Sequence, residues 1–159
     1  MKHIVATKTR EKALVDDRDY EELRQYSWLV NNHGYFYRRV YAGSRKMKKI
    51  YLHREIMSCP KGMVVDHING ISTDCRRENL RICSHSNNQK NMSMHKDNLS
   101  GYKGVCWQRG KYVARVFCNG VAYYLGRHET AHEAAKAYDT KALELFGAFA
   151  KLNLEGEGL

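Results

Sequence analysis

Only one stretch of this 159-residue chain carries the apolar period of a full-length helix, and a capping box opens it. Thr130-Ala131-His132-Glu133 pairs an N-cap threonine with a glutamate three residues on. Ala131, Ala134, Ala135, Tyr138, Ala142, Leu145 and Phe146 follow at helical spacing, and Gly147 supplies a stop. The alanines on that face let a sheet approach closely. Before the helix, Tyr102 to Trp107, Tyr112 to Cys118 and Val121 to Gly126 read as three strands, the last two joined by the hairpin dipeptide Asn119-Gly120. In the middle strand Tyr112, Ala114, Val116 and Cys118 share one face, and Lys111, Arg115 and Phe117 the other. Packing the first face on the helix leaves a basic and aromatic face open.

The N-terminal part has no such helix. Ala13-Leu14-Val15, Trp28-Leu29-Val30, Tyr35-Phe36-Tyr37 and Ile50-Tyr51-Leu52 are short strand-like runs divided by turn residues, with one helical turn over Tyr20 to Tyr26. Pro60-Lys61-Gly62 marks a boundary, and residues 92 to 100 have no period and read as a connection. The reading is therefore α+β, with domains at 1–95 and 101–153 and a linker at 96–100. No apolar run approaches the roughly 18 residues of a membrane span. The N-terminal residues lack a signal-like apolar stretch, so a cytoplasmic protein without a membrane partner is expected. Five cysteines, odd in number and never spaced Cys-x-x-Cys, read as reduced, mostly buried small hydrophobes.

Charge is placed unevenly. Lysine and arginine number 27 against 17 acids, a net of +10. No acid lies between Glu22 and Glu55, where Arg24, Arg38, Arg39, Arg45, Lys46, Lys48, Lys49 and Arg54 fall. A second acid-free stretch, Asn98 to His128, holds Lys103, Arg109, Lys111, Arg115 and Arg127. Segregated positive charge suits a polyanion such as nucleic acid. Arg45, Lys46 and Lys48, at a hairpin tip, are candidate phosphate contacts.

The segment between these stretches carries the chemistry: Val65-Asp66-His67-Ile68-Asn69-Gly70, Asp74-Cys75-Arg76-Arg77-Glu78-Asn79-Leu80-Arg81 and Ser84-His85-Ser86-Asn87-Asn88. It reads as strand, long turn, strand and helix, a crossing that brings Asp66 and Asn88 together with His67 beside them. Asp66 and Asn88 offer hard oxygen donors suited to Mg²⁺, with Mn²⁺ able to substitute. His67 has a side chain fit to take a proton from an attacking water, as phosphodiester hydrolysis requires. His53 and His85 are further candidates to stand beside the reacting groups, His85 as a helix cap or phosphate contact.

These blocks, with Leu52-His53-Arg54 and the Asn87-Asn88-x-x-Asn91 run, resemble the HNH nuclease family of ββα-metal fold, in its phage and homing-endonuclease branch. The spacing fits, with 12 positions from His67 to Asn79 and 9 from Asn79 to Asn88. The resemblance implies His67 as general base, Asp66 and Asn88 as metal ligands, and Asn79 as the residue that ties the turn. It also implies cleavage or nicking of double-stranded DNA at a preferred site, leaving 3′-hydroxyl and 5′-phosphate ends, with no obligate small-molecule cofactor. Asp74-Cys75-Arg76 stands where relatives usually carry Asp-Asn-Arg. Residues 101 to 153 separately resemble the plant ethylene-response-factor DNA-binding domain, through Gly101-Tyr102-Lys103-Gly104-Val105, Tyr124-Leu125-Gly126, Ala134-Ala135-x-Ala137-Tyr138-Asp139 and Phe149-Ala150-x-Leu152-Asn153. That domain lays a three-stranded sheet in the major groove, which carries Lys103, Arg109, Lys111 and Tyr124 over as DNA contacts; the face argument adds Trp107 and Arg115. A DNA-binding regulator with an inactive nuclease site is the alternative from another class. RNA binding lacks the aromatic-rich sheet motif of common RNA modules.

Overall fold

The computed structural model describes residues 1–43, 46–91, 94 and 97–154 and divides into two compact units, Met1–Asn88 and Gln89–Leu159. In the first unit β1 (Lys2–Val5) and β2 (Lys12–Val15) form an antiparallel ribbon, followed by α1 (Asp17–Leu23). A second sheet has the order β3 (Leu29–Val30), β4 (Phe36–Tyr41), β5 (Met47–Tyr51), and runs directly into the short helix α2 (Leu52–Ile56). Leu52, read from sequence as the end of a strand, instead starts that helix. Leu52, His53 and Ile56 are all buried, a spacing of i, i+1, i+4 that one helix face satisfies and an alternating strand does not. The core gathers Ile4, Ala13, Val15, Leu23, Trp28, Phe36, Leu52 and Ile56, and Trp28 Nε1 donates to the Leu23 carbonyl at 2.8 Å. The hairpin of β6 (Val64–His67) and β7 (Leu80–Cys83) leads into α3 (His85–Lys90), giving the expected ββα order.

The second unit holds β8 (Val105–Gln108), β9 (Lys111–Cys118) and β10 (Val121–His128) in one antiparallel sheet, ordered β10-β9-β8, with α4 (Ala131–Phe146). Thr130 and Glu133 form the reciprocal capping box. Ala134, Ala135, Tyr138 and Ala142 are buried with Val105, Ala114 and Val116 of the sheet. The approach is closest at Gly104, where an added Cβ would stand 2.2 Å from the Tyr138 ring and 2.6 Å from the Arg115 carbonyl oxygen. Asp139, fully buried, accepts from the backbone N–H groups of Asn153 and Leu154 at 2.9 Å and ties the chain end to the helix.

Three details differ from the sequence reading. The first strand of this sheet begins at Val105, not Tyr102. Residues 98 to 100 are not a free connection: the Asn98 amide donates to the Tyr102 carbonyl at 2.8 Å and Ser100 Oγ to the Val105 carbonyl at 2.9 Å. Of the cysteines only Cys75 and Cys83 are buried; Cys106 is exposed, because strand alternation turns it off the helix side. No helix among the described residues is long and apolar enough to cross a membrane.

Candidate active site

Strand pairing places the two residues at the end of β6. Asp66 lies opposite Arg81 and His67 opposite Leu80. Both side chains are nearly closed off, at 6% and 5% exposure. Arg81 grips the Asp66 carboxylate, its Nε 2.7 Å and its terminal nitrogen 2.6 Å from Oδ2. A buried carboxylate needs such a counter-charge. Arg81 sits inside a block singled out for Asn79, yet only the register shows that it serves Asp66.

The turn between β6 and β7 is closed by side chains. Asn79 Oδ1 accepts from the Asn69 N–H at 3.0 Å, and its amide donates to the Asp74 carbonyl at 2.8 Å, so one side chain fastens two points of the loop that follows His67. Asp74 accepts from Asn69 Nδ2 and from Arg76, whose guanidinium holds its carboxyl below the usual range. Arg77 anchors the same turn to α1 through Asp19 at 2.8 Å, and the Cys75 N–H donates to the Leu14 carbonyl in β2 at 2.9 Å.

His67 stands in an aromatic nest. The His53 ring is 5.1 Å away, edge to face, and Tyr35 is 5.8 Å away; Tyr35 also lies 5.2 Å from His53. His53 comes from the first turn of α2, and its buried Nδ1 has no hydrogen-bond partner among the described residues. Burial, then the neighbouring His67 and Arg54, push His53 down to about 3. Burial also lowers His67, against the opposing pull of Asp66 and Asp74. Both imidazoles are therefore neutral at neutral pH, and a neutral imidazole can accept a proton.

Asn88 is half-buried on α3, its N–H bonded to the Ser84 carbonyl at 3.0 Å, which fixes the start of the helix at the end of the hairpin. His85 is exposed, and the capping position belongs to Ser84, whose Oγ accepts from the Asn87 N–H at 3.2 Å. Among the described residues no cluster of three His, Cys, Asp or Glu could hold a metal ion. What the segment supplies is one carboxylate and one amide, oxygen donors that suit Mg²⁺ or Mn²⁺ when water and phosphate fill the other positions.

The basic candidates scatter. Lys46 and Lys48 are exposed at the β4–β5 end, Lys48 opposite Val40; Arg45 lies outside the described residues. In the second unit the register gives one open face to Gln108, Lys111, Arg115, Phe117, Tyr124 and Arg127. Arg115 and Tyr124 face each other across strands, and Phe117 and Tyr124 are 68% and 59% exposed. Lys111 is ion-paired with Glu129, the acid just beyond the acid-free stretch. Arg109 occupies a two-residue turn with Gly110, both at positive φ, and its carbonyl accepts from Arg127. Two residues lie off the open sheet face. Trp107 pairs with Tyr112 and shares the side of Val105, its ring 4.7 Å from Tyr112, and is 59% exposed. Lys103 precedes the strand; its Nζ donates to the Lys90 carbonyl at 2.7 Å, and burial pushes it down to about 8. Phe117 and Arg127, which the sequence already put on the open face and in the basic stretch, were not named among the DNA contacts.

The sequence profile of the HNH endonuclease family matches residues 58–90. An uncharacterised HNH endonuclease of Acanthamoeba polyphaga mimivirus is 31% identical over 136 residues, covering 81% of this chain and 67% of that protein. Protein 3.8 of Escherichia phage T7 is 33% identical over 94 residues, 58% of this chain and 77% of the relative. An ethylene-responsive transcription factor of Arabidopsis thaliana is 33% identical over 98 residues, covering 58% of this chain and 60% of its own length.

Proposed function

The chain belongs to the HNH endonuclease family, and from that premise we propose that it hydrolyses DNA phosphodiester bonds with His67 as general base, at a preferred site on double-stranded DNA. The observation that carries the reading is His67 itself: buried, neutral, at the end of β6 beside Asp66, and followed by a turn that Asn79 fastens at two points. A neutral imidazole held in place can take the proton of a water aimed at phosphorus. Asp66 and Asn88 would hold a divalent ion, Mg²⁺ or Mn²⁺. The carboxylate can serve the ion and Arg81 together, since its two oxygens offer about four acceptor sites. When bound, the ion supplies neutralisation of charge on the phosphate and the departing oxygen.

Site choice belongs to residues 101–153 in this reading, and chemistry to residues 1–95. Arg115, Tyr124, Phe117 and Arg127 on the open face are suited to a groove, with Arg109 at the turn and Lys46 and Lys48 on the N-terminal hairpin touching phosphates. The likeness to a plant transcription factor supports that division. The test is nicking of supercoiled plasmid by the full chain. His67→Ala should cut roughly 10² to 10⁴ times more slowly, the cost of a lost general base, with DNA affinity unchanged. Wild-type rates in that variant, or full activity in EDTA, would refute the assignment.

A further inference from the structure

Cys75 lies in the β6–β7 turn with 1% of its surface exposed. Its Sγ is 3.9 Å from His67 Nε2 and 3.7 Å from the Ser72 carbonyl oxygen. A thiol has one proton to give and a sulfur that accepts weakly, whereas a carbonyl oxygen only accepts. Burial pushes the thiol up to about 12, so the sulfur keeps its proton at neutral pH. One arrangement uses both short approaches. The Cys75 S–H donates to the Ser72 carbonyl, and the sulfur accepts from His67 Nε2–H. Reversing the thiol toward Nε2 withdraws that proton from the carbonyl.

We propose that Cys75 is a positioning residue: its sulfur accepts from His67 Nε2–H and holds the imidazole in the tautomer whose Nδ1 carries no proton. That unprotonated Nδ1 is then the atom that takes the proton of the attacking water. This rests on the reading of His67 as the base. The turn supplies the rigidity such a role needs, because the Cys75 N–H is bonded to β2 and the loop is fastened by Asn79. A hydrogen-bond partner on the far nitrogen selects which imidazole nitrogen carries the proton.

The test is ring-nitrogen NMR of the full chain labelled with ¹⁵N-histidine, in magnesium-free buffer above pH 7, with the His67 signals identified by their loss in His67→Gln. The wild-type spectrum should show His67 protonated at Nε2 only. Cys75→Ala should show both tautomers and nick supercoiled plasmid with kcat reduced about 10- to 100-fold and KM unchanged. Cys75→Ser, which keeps a donor and an acceptor, should restore the single tautomer and most of the rate. A wild-type His67 protonated at Nδ1 would overturn the proposal, and so would a Cys75→Ala spectrum identical to wild type. Where Cys75→Ala does not fold, the wild-type and Cys75→Ser spectra decide it. The tautomer is read without turnover, so a wild-type rate in His67→Ala would refute the base reading while leaving this measurement separately legible.

Discussion

The β6–β7 hairpin and the β8–β10 sheet bury opposite kinds of side chain. In the first unit His53, Asp66, His67, Asp74 and Asn79 are all buried, a concentration of polar groups within one small unit. Buried polar groups need partners, and the turn supplies them through Arg81, Arg76 and Asn69. In the second unit the buried polar side chains among the described residues are Asn91 and Asp139, while arginines and aromatics stay on the open face. The proposed reacting groups are held inside, where geometry is fixed. The groups proposed to meet a polyanion are kept outside.

The largest effect expected from that contrast is at Gly104. An alanine there meets the Tyr138 ring at 2.2 Å and must adopt φ +74. Gly104→Ala should therefore prevent the sheet and α4 from closing, with amide exchange in β9 losing its protection while β6 keeps it. DNA affinity should collapse, and metal-dependent nicking should survive at high enzyme concentration. A variant that exchanges like wild type would show the seam to be looser than these distances allow.

The next largest lies at Asp66. Arg81→Met keeps length and removes the guanidinium that compensates a carboxylate at 6% exposure. Breaking a buried pair costs about 3–5 kcal/mol. The thermal midpoint in EDTA should fall accordingly, and Mg²⁺ should raise it in the variant more than in wild type, because a divalent ion can stand in for the lost charge. No response to Mg²⁺ would remove Asp66 from the ligand set.

How much of this was legible depended on how local the signal was. Asp66, His67, Asn79 and Asn88 could be named as candidates because each lies in a short block with its own chemistry. Arg81 and Cys75 were not, since their service to Asp66 and His67 exists only once β6 pairs with β7 and the turn folds back. The side of the sheet that Trp107 takes was not legible, because strand alternation fixes a side only when the register is known. The chain gave no signal for Lys103 leaving the sheet: its place follows from the Asn153 side chain, whose Oδ1 accepts the Lys103 N–H at 2.6 Å from 50 positions away.

A third effect separates the units by pH. His53 is held down to about 3 by burial, against an ordinary 6.5. Its folded value is depressed, so the unfolded chain binds the extra proton first, and stability is lost as pH falls from about 6.5 toward 3. One such group costs about 1.4 kcal/mol per pH unit over that window. Wild type should thus lose more stability between about pH 6.5 and pH 4 than His53→Phe, which removes the titrating ring yet keeps an aromatic packed near Tyr35. His67, lowered in the same direction, contributes the same sign in both chains. Equal slopes would mean that His53 is hydrated in solution.

The smallest effect tests the open face. Arg115 and Tyr124 are cross-strand neighbours, and Arg127 pairs at Val113 one step along the same face. None of the three is among the buried residues that pack on α4, so replacing all three with alanine should leave the melting midpoint nearly unchanged. DNA binding should weaken, and its salt dependence should flatten by about 0.9 log unit for each phosphate no longer neutralised. Lys111 is the internal control. Its Glu129 partner already offsets its charge, so Lys111→Ala should flatten the slope less than either arginine alone. The arginines and Tyr124 also differ in what they can read: an arginine can reach phosphate or a base edge, whereas an exposed tyrosine ring lies against sugar or a base. Tyr124→Ala should therefore change affinity with little change in salt slope. If it is Lys46→Ala with Lys48→Ala that flattens the slope and the open-face triple does not, the polyanion lies mainly along the N-terminal hairpin, and the division between an inside for chemistry and an outside sheet for binding fails.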